Sequence, residues 1–176
     1  MQLLTLLLIC RCASALEITA ANRAGGYIQF SGNMEITGVR FAADAFGGAV
    51  SLPLDSSRNG RAFANIRIMN KNLYDKVMTA GTAAQGDKSP VAVKVLSARR
   101  LESASRIANV DISFDGELAV TFGLLKTHKK DGGSAYKMLS PANFKFKSQP
   151  LRKQVREMVI EAGCKAAAKG KNGCAK

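Results

Sequence analysis

The sequence predicts an α+β fold: an antiparallel β-sheet with hairpins, a short central helix and a longer carboxy-terminal helix. Three observations predict it. Polar and apolar side chains alternate with period two through much of residues 34–125. Asn59-Gly60 and Asp115-Gly116 supply turn signals that tolerate positive φ. Apolar residues recur at helical spacing near residues 75 and 155. With 176 residues, 47% of them hydrophobic and 22% charged, the chain has enough apolar surface for one core without disulfides or metals.

In chain order, Glu35-Ile36-Thr37-Gly38-Val39-Arg40-Phe41 alternates as a strand until Gly47-Gly48 interrupts it. Residues 49–54 form a second strand that ends near Pro53, and residues 56–60 turn into another over 61–69. Leu73, Val77 and Ala80 place a short helix over 70–80, and the small polar residues 82–90 make a loop. Strands follow at 91–97, 106–114 and 117–125, the last two joined by Asp115-Gly116. Their buried face is Ile107, Val110, Ile112, Phe114, Leu118, Val120, Phe122 and Leu124. Asp131-Gly132-Gly133 turns the chain into a strand at 135–139, after which Phe144 and Phe146 alternate with Lys145 and Lys147. Pro150 opens a helix with the stripe Leu151, Val155, Met158, Val159 and Ala162, which Gly163 ends. Residues 164–176 read as a basic flexible tail.

Residues 1–33 read as an extension outside the domain at 34–163. The run MQLLTLLLI and Ala13-Ser14-Ala15 resemble a secretory signal with its cleavage site, although no Lys or Arg precedes the run and Arg11 interrupts the approach to the site. The preferred reading starts the protein at Met34, where strand periodicity begins, and places it in the cytoplasm; a genuine signal at 1–15 would make it secreted. The run is too short to span a membrane, which takes about 20 apolar residues. Cys10, Cys12, Cys164 and Cys174 form no CxxC pair and lie far from His128, so no metal site is expected. Cys164 and Cys174 would bridge in an oxidising compartment, but the unstructured look of the tail speaks against it.

Charge points to a partner. Lys and Arg number 26 against 13 Asp and Glu, a net of +13, which implies a partner of opposite sign. Residues 34–90 hold 7 basic and 5 acidic side chains, whereas residues 91–176 hold 17 and 7. The densest stretch is Lys126, Lys129, Lys130, Lys137, Lys145, Lys147, Arg152, Lys153 and Arg156, with Asp131 the one acid between 126 and 156. Such a surface tracks phosphates, because each phosphate neutralised releases condensed counterions; the competing reading is a solvated basic face. Arg99 and Arg100, expected in a turn, are secondary contacts. Tyr136 is the candidate to stack on bases, whereas Phe144 and Phe146 belong to the core. His128 has no partner pattern for acid–base work and reads as surface, and neither Gly-Gly pair has the context of a nucleotide cradle.

Residues 91–162 resemble the stage V sporulation protein G family, the septation regulators. The matching segments are Val91-Ala92-Val93-Lys94-Val95, the run from Arg106-Ile107-Ala108-Asn109-Val110-Asp111-Ile112 through Asp115-Gly116-Glu117-Leu118-Ala119-Val120, Gly132-Gly133, and Ala135-Tyr136-Lys137-Met138-Leu139-Ser140-Pro141 before a helix. Met34-Glu35-Ile36-Thr37-Gly38-Val39-Arg40-Phe41 is similar to that family's opening strand. The family's His-Pro pair ahead of the helix has no counterpart here, and residues 42–90 would be an insertion. The resemblance implies an antiparallel sheet, a homodimer and binding of DNA or RNA by the basic surface. The expected function is therefore non-enzymatic, sequence-tolerant binding of nucleic acid with single strands slightly preferred, without cofactor or small-molecule substrate. The alternative is a structural or assembly protein, such as a phage or membrane-associated scaffold, that binds acidic partners.

Overall fold

The computed structural model describes residues 15–42, 48–57, 59–80, 89–103, 105–128 and 133–168. The fold begins well before Met34. Strands β1 (Ile18–Asn22), β2 (Tyr27–Phe30) and β3 (Met34–Thr37) form an antiparallel meander. The Asn22 carboxamide accepts from the Gly25 amide at 2.7 Å in the first turn, and Ser31 and Gly32 take φ of 47° and 62° in the second. Leu16, Ile28 and Phe30 are fully buried. The domain boundary read at Met34 is corrected accordingly. Tyr27-Ile28-Gln29-Phe30 carries the same alternation as the strand after it, but it follows a leader-like apolar run, and that run governed the reading of the whole segment.

Gly38, at φ 76°, breaks the expected strand at 35–41, so that β4 (Arg40–Ala42) pairs instead with β5 (Ala49–Ser51). A second ribbon joins β6 (Asp55–Ser56) to β7 (Ala62–Phe63), and β8 (Ile66–Ile68) follows as a separate strand where one strand over 61–69 was expected. Helix α1 (Lys71–Thr79) forms where its spacing predicts, with the Asn70 side chain accepting from the Leu73 amide at 2.8 Å as N-cap and Leu73 and Val77 buried.

The second half builds β9 (Val93–Arg100), β10 (Arg106–Phe114), β11 (Leu118–His128), β12 (Ser134–Leu139), β13 (Phe144–Phe146) and α2 (Gln149–Ala168). Asp115 and Gly116 both take positive φ, 50° and 71°, which matches the right-handed twist of the hairpin they close. A five-stranded sheet runs β12-β11-β10-β9, with β8 beside the start of β11, and a four-stranded sheet runs β1-β2-β3-β13. All eight residues of the expected hairpin face are buried. Phe144 and Phe146 of β13 are core, as expected, and join the sheets: Phe144 stacks on Phe114 at 5.9 Å and Phe146 on Phe122 at 5.9 Å between ring centroids. Among the described residues no helix is long and apolar enough to cross a membrane.

Helix α2 packs on β9 and β10 and continues past Gly163, which does not end it. The reason is close approach. A Cβ at Gly163 would lie 2.7 Å from Leu124 Cδ2 and 3.4 Å from Val110 Cγ2, so the missing side chain lets the helix lie on the sheet. Gly163→Val is expected to destabilise the protein by about 1–3 kcal/mol through overpacking, read as a lower urea midpoint, although valine is the better helix former. Residues 165–168 of the expected tail are helical. Cys164 is disulfide-bonded, against the expectation, and every other cysteine lies outside the described residues.

Candidate nucleic-acid interface

The junction of β13 and α2 gathers the best-presented bases. Ser148 sits before the helix, its hydroxyl accepting from the Leu151 amide at 3.4 Å and its carbonyl from the Arg152 amide at 3.1 Å. No acid stands in the first helical turn. Arg152, Lys153 and Arg156 are exposed there, and their i, i+1, i+4 spacing sets them on one flank of the helix start. Lys145 is exposed on β13 opposite Glu35 in register. Lys147 belongs to the same junction but is engaged: its ammonium lies 2.7 Å from the Glu35 carboxylate. Among the described residues, Lys145, Arg152, Lys153 and Arg156 form no ion pair.

The remaining bases lie elsewhere. Lys126 faces Tyr136 across the β11–β12 ladder, and Lys137 is exposed on β12. Tyr136, only partly buried, packs against the cluster of Ile107, Ala108, Leu124 and Ala167 that Ile160 and Cys164 of α2 also border, and its hydroxyl is buried with no hydrogen-bond partner among the described residues. Tyr136 is therefore half-buried, with its hydroxyl turned inward, rather than fully exposed. Lys126 thus shares the face of Tyr136 and Lys137 takes the opposite one, so the expected single patch is divided. Arg99 and Arg100 end strand β9 rather than sitting in a turn, because that strand runs on to pair with Asn109 and Ala108. Arg100 joins Ala162, Lys165 and Ala166 in a shallow groove beside α2, whereas Arg99, opposite Asn109, takes the other face of the sheet. Lys129 and Lys130 lie outside the described residues. His128 is exposed at the end of β11.

The sequence reading missed the sheet's other face. There a cleft of about 680 Å³ opens between the sheet and the β6–β7 ribbon, bordered by Asp55, Phe63, Arg106, Asn109, Thr121 and Leu139. Arg106 Nε and Asn109 Oδ1 are buried in it with no hydrogen-bond partner among the described residues, and burial pulls the Arg106 guanidinium down while Asp55 opposes that. The signal was present: Asn109 and Asp111 are the polar positions alternating with the buried face of β10. Beside the cleft, burial alone would raise the Asp111 carboxyl. Hydroxyl donors Thr121 and Ser97, with Arg67 at 3.5 Å, outweigh it and hold Asp111 below the ordinary carboxylate range. A depressed carboxyl contributes stability above its unfolded pKa of about 3.9, and that contribution is lost as pH falls through the folded value. The wild type is thus expected to exceed Asp111→Asn in urea midpoint at pH 6, with the gap closing below about pH 4.

No group of three or more His, Cys, Asp or Glu able to hold a metal occurs among the described residues. Comparison of the chain with protein families, curated proteins and solved structures finds no match.

Proposed function

We propose that this protein binds nucleic acid in a sequence-tolerant way, through phosphate contacts made by Lys145, Arg152, Lys153 and Arg156 at the β13–α2 junction. The observation that carries the reading is that these four bases are exposed, close in the chain and form no ion pair among the described residues, in a protein of net charge +13. Arginine forks suit phosphate oxygens. Arg100 and Lys126, on the face that carries α2, extend the contact along the backbone of a longer strand, whereas Arg99 and Lys137 lie on the opposite face of the sheet. With Tyr136 half-buried, affinity rests on charge rather than on stacking, so the slight preference for single strands is not retained in the proposal. The reading includes a homodimer, as the septation-regulator resemblance implies, and β9 is the edge strand of its sheet among the described strands.

The test is a competition. A labelled oligonucleotide bound to the protein is displaced by unlabelled DNA of unrelated sequences at equal concentrations, and by anionic lipid vesicles only at much higher anionic charge. Equal displacement by vesicles and DNA would instead favour a scaffold that binds acidic surfaces in general.

A further inference from the structure

Glu117 follows the β10–β11 turn and is 7% exposed. One carboxylate oxygen accepts from the Asn70 carboxamide at 3.0 Å. The other accepts from the backbone nitrogen of Leu16 at 2.7 Å, across 101 residues of sequence. Among the described residues no Lys or Arg side chain forms an ion pair with it. A buried carboxylate held by two neutral donors is costly, and a cation in place of either donor removes most of that cost.

From Leu16 onward the chain is fastened. Leu16 is fully buried, its carbonyl accepts from the Lys76 ammonium at 3.0 Å, and Glu17 exchanges hydrogen bonds with Ser31. Ala15, immediately before it, is exposed. In the sequence, Ala13-Ser14-Ala15 after the apolar run places small residues one and three positions before the bond between Ala15 and Leu16. Two independent observations thus select the same bond. The motif would make Leu16 the first residue, and the fold aims the nitrogen of Leu16 at a buried carboxylate. A cut one residue earlier would put the charge on exposed Ala15; one residue later would put it on Glu17, whose nitrogen faces the Ser31 hydroxyl at 3.3 Å.

We propose that the bond between Ala15 and Leu16 is a processing site for a secretory signal peptidase, and that the α-ammonium released at Leu16 forms a buried ion pair with Glu117. Water adds to the amide, the C–N bond breaks, Ala15 departs with the leader as its carboxylate, and the Leu16 nitrogen takes up a proton to become the ammonium. Cleavage precedes folding, since the mature fold buries the nitrogen side of the bond. The cut also removes Cys10 and Cys12, leaving Cys164 and Cys174, and the disulfide at Cys164 fits the oxidising compartment that an exported chain enters. The location is then outside the cytoplasm. This inference does not depend on the nucleic-acid reading.

The full chain, expressed in a bacterial host and collected from the exported fraction, is expected to have the sequence Leu-Glu-Ile-Thr at its amino terminus and a mass two hydrogens below that of reduced residues 16–176. A chain that keeps Met1, or begins at any other residue, overturns the proposal. On the processed protein, an amine-reactive reagent at neutral pH is expected to label the Leu16 amine about tenfold or more slowly than after unfolding in urea, because the amine must first leave a buried pair. Equal rates overturn the pairing. E117Q is expected to lower the urea midpoint more in the processed protein than in unprocessed chain retained in the cytoplasm, where Leu16 offers only an amide that glutamine still accepts from. Equal losses in the two forms likewise overturn it.

Discussion

A chain that starts at Met34 is expected not to fold. It lacks β1 and β2, leaving β3 with β13 alone where a four-stranded sheet stood. It also lacks Leu16, Ile28 and Phe30, each fully buried and each contributing roughly 1.5–3 kcal/mol by burial. The turn before β2 is tied to α1 as well, because the Arg23 guanidinium donates to the carbonyls of Met78 and Ala80 at the end of that helix. Set against a typical domain stability of about 5–15 kcal/mol, these losses remove most or all of the margin. Circular dichroism during a urea titration checks it. A cooperative transition near that of the chain from Leu16 would show that residues 16–33 are dispensable.

Reversal of Arg152, Lys153 and Arg156 to Glu is expected to lower nucleic-acid affinity by about a hundredfold or more at moderate salt, since three phosphate contacts are replaced by three repulsions. Thermal stability should change little, because all three side chains are exposed and form no ion pair among the described residues. Reversing Arg40, Arg61 and Lys71, equally exposed but in the near-neutral first half, alters the net charge by the same amount. Fluorescence anisotropy with one labelled oligonucleotide compares the two sets. The β13–α2 junction is the site if the first set loses far more affinity than the second, and equal losses would mean that net charge alone attracts the ligand.

The central hairpin was legible because both of its signals are local. Alternation from Ile107 to Leu124 marks the buried face, and Asp115-Gly116 alone meets the backbone demand between the strands. Helix α1 was legible for the same reason, with Asn70 as its cap. Gly163 was not, because a glycine after an apolar stripe resembles a helix stop, and only the contact with Leu124 and Val110 shows it to be a place of close packing. The half-buried setting of Tyr136 was likewise hidden, because one member of the cluster it packs against, Ala167, lies on a stretch of helix that runs farther than the sequence suggested. The basic residues were visible as a run in sequence, but their division among the β13–α2 junction and the two faces of the sheet is a property of the fold. The alternation in β10 does mark Asn109 as facing away from the core, but the closing of a cleft over it by the β6–β7 ribbon, like the reach of Leu16 to Glu117, is a contact between distant segments that no local pattern encodes.

The most direct test of nucleic-acid binding is the dependence of affinity on salt. For four phosphates neutralised at the β13–α2 junction, log K should fall linearly with log salt with a slope of about −3 on single strands, from −0.7 per contact, and steeper where Arg100 and Lys126 also engage. The reversal of Arg152, Lys153 and Arg156 should flatten it. Failure to retain an oligonucleotide at low salt, or an affinity that does not change with salt, would contradict the account.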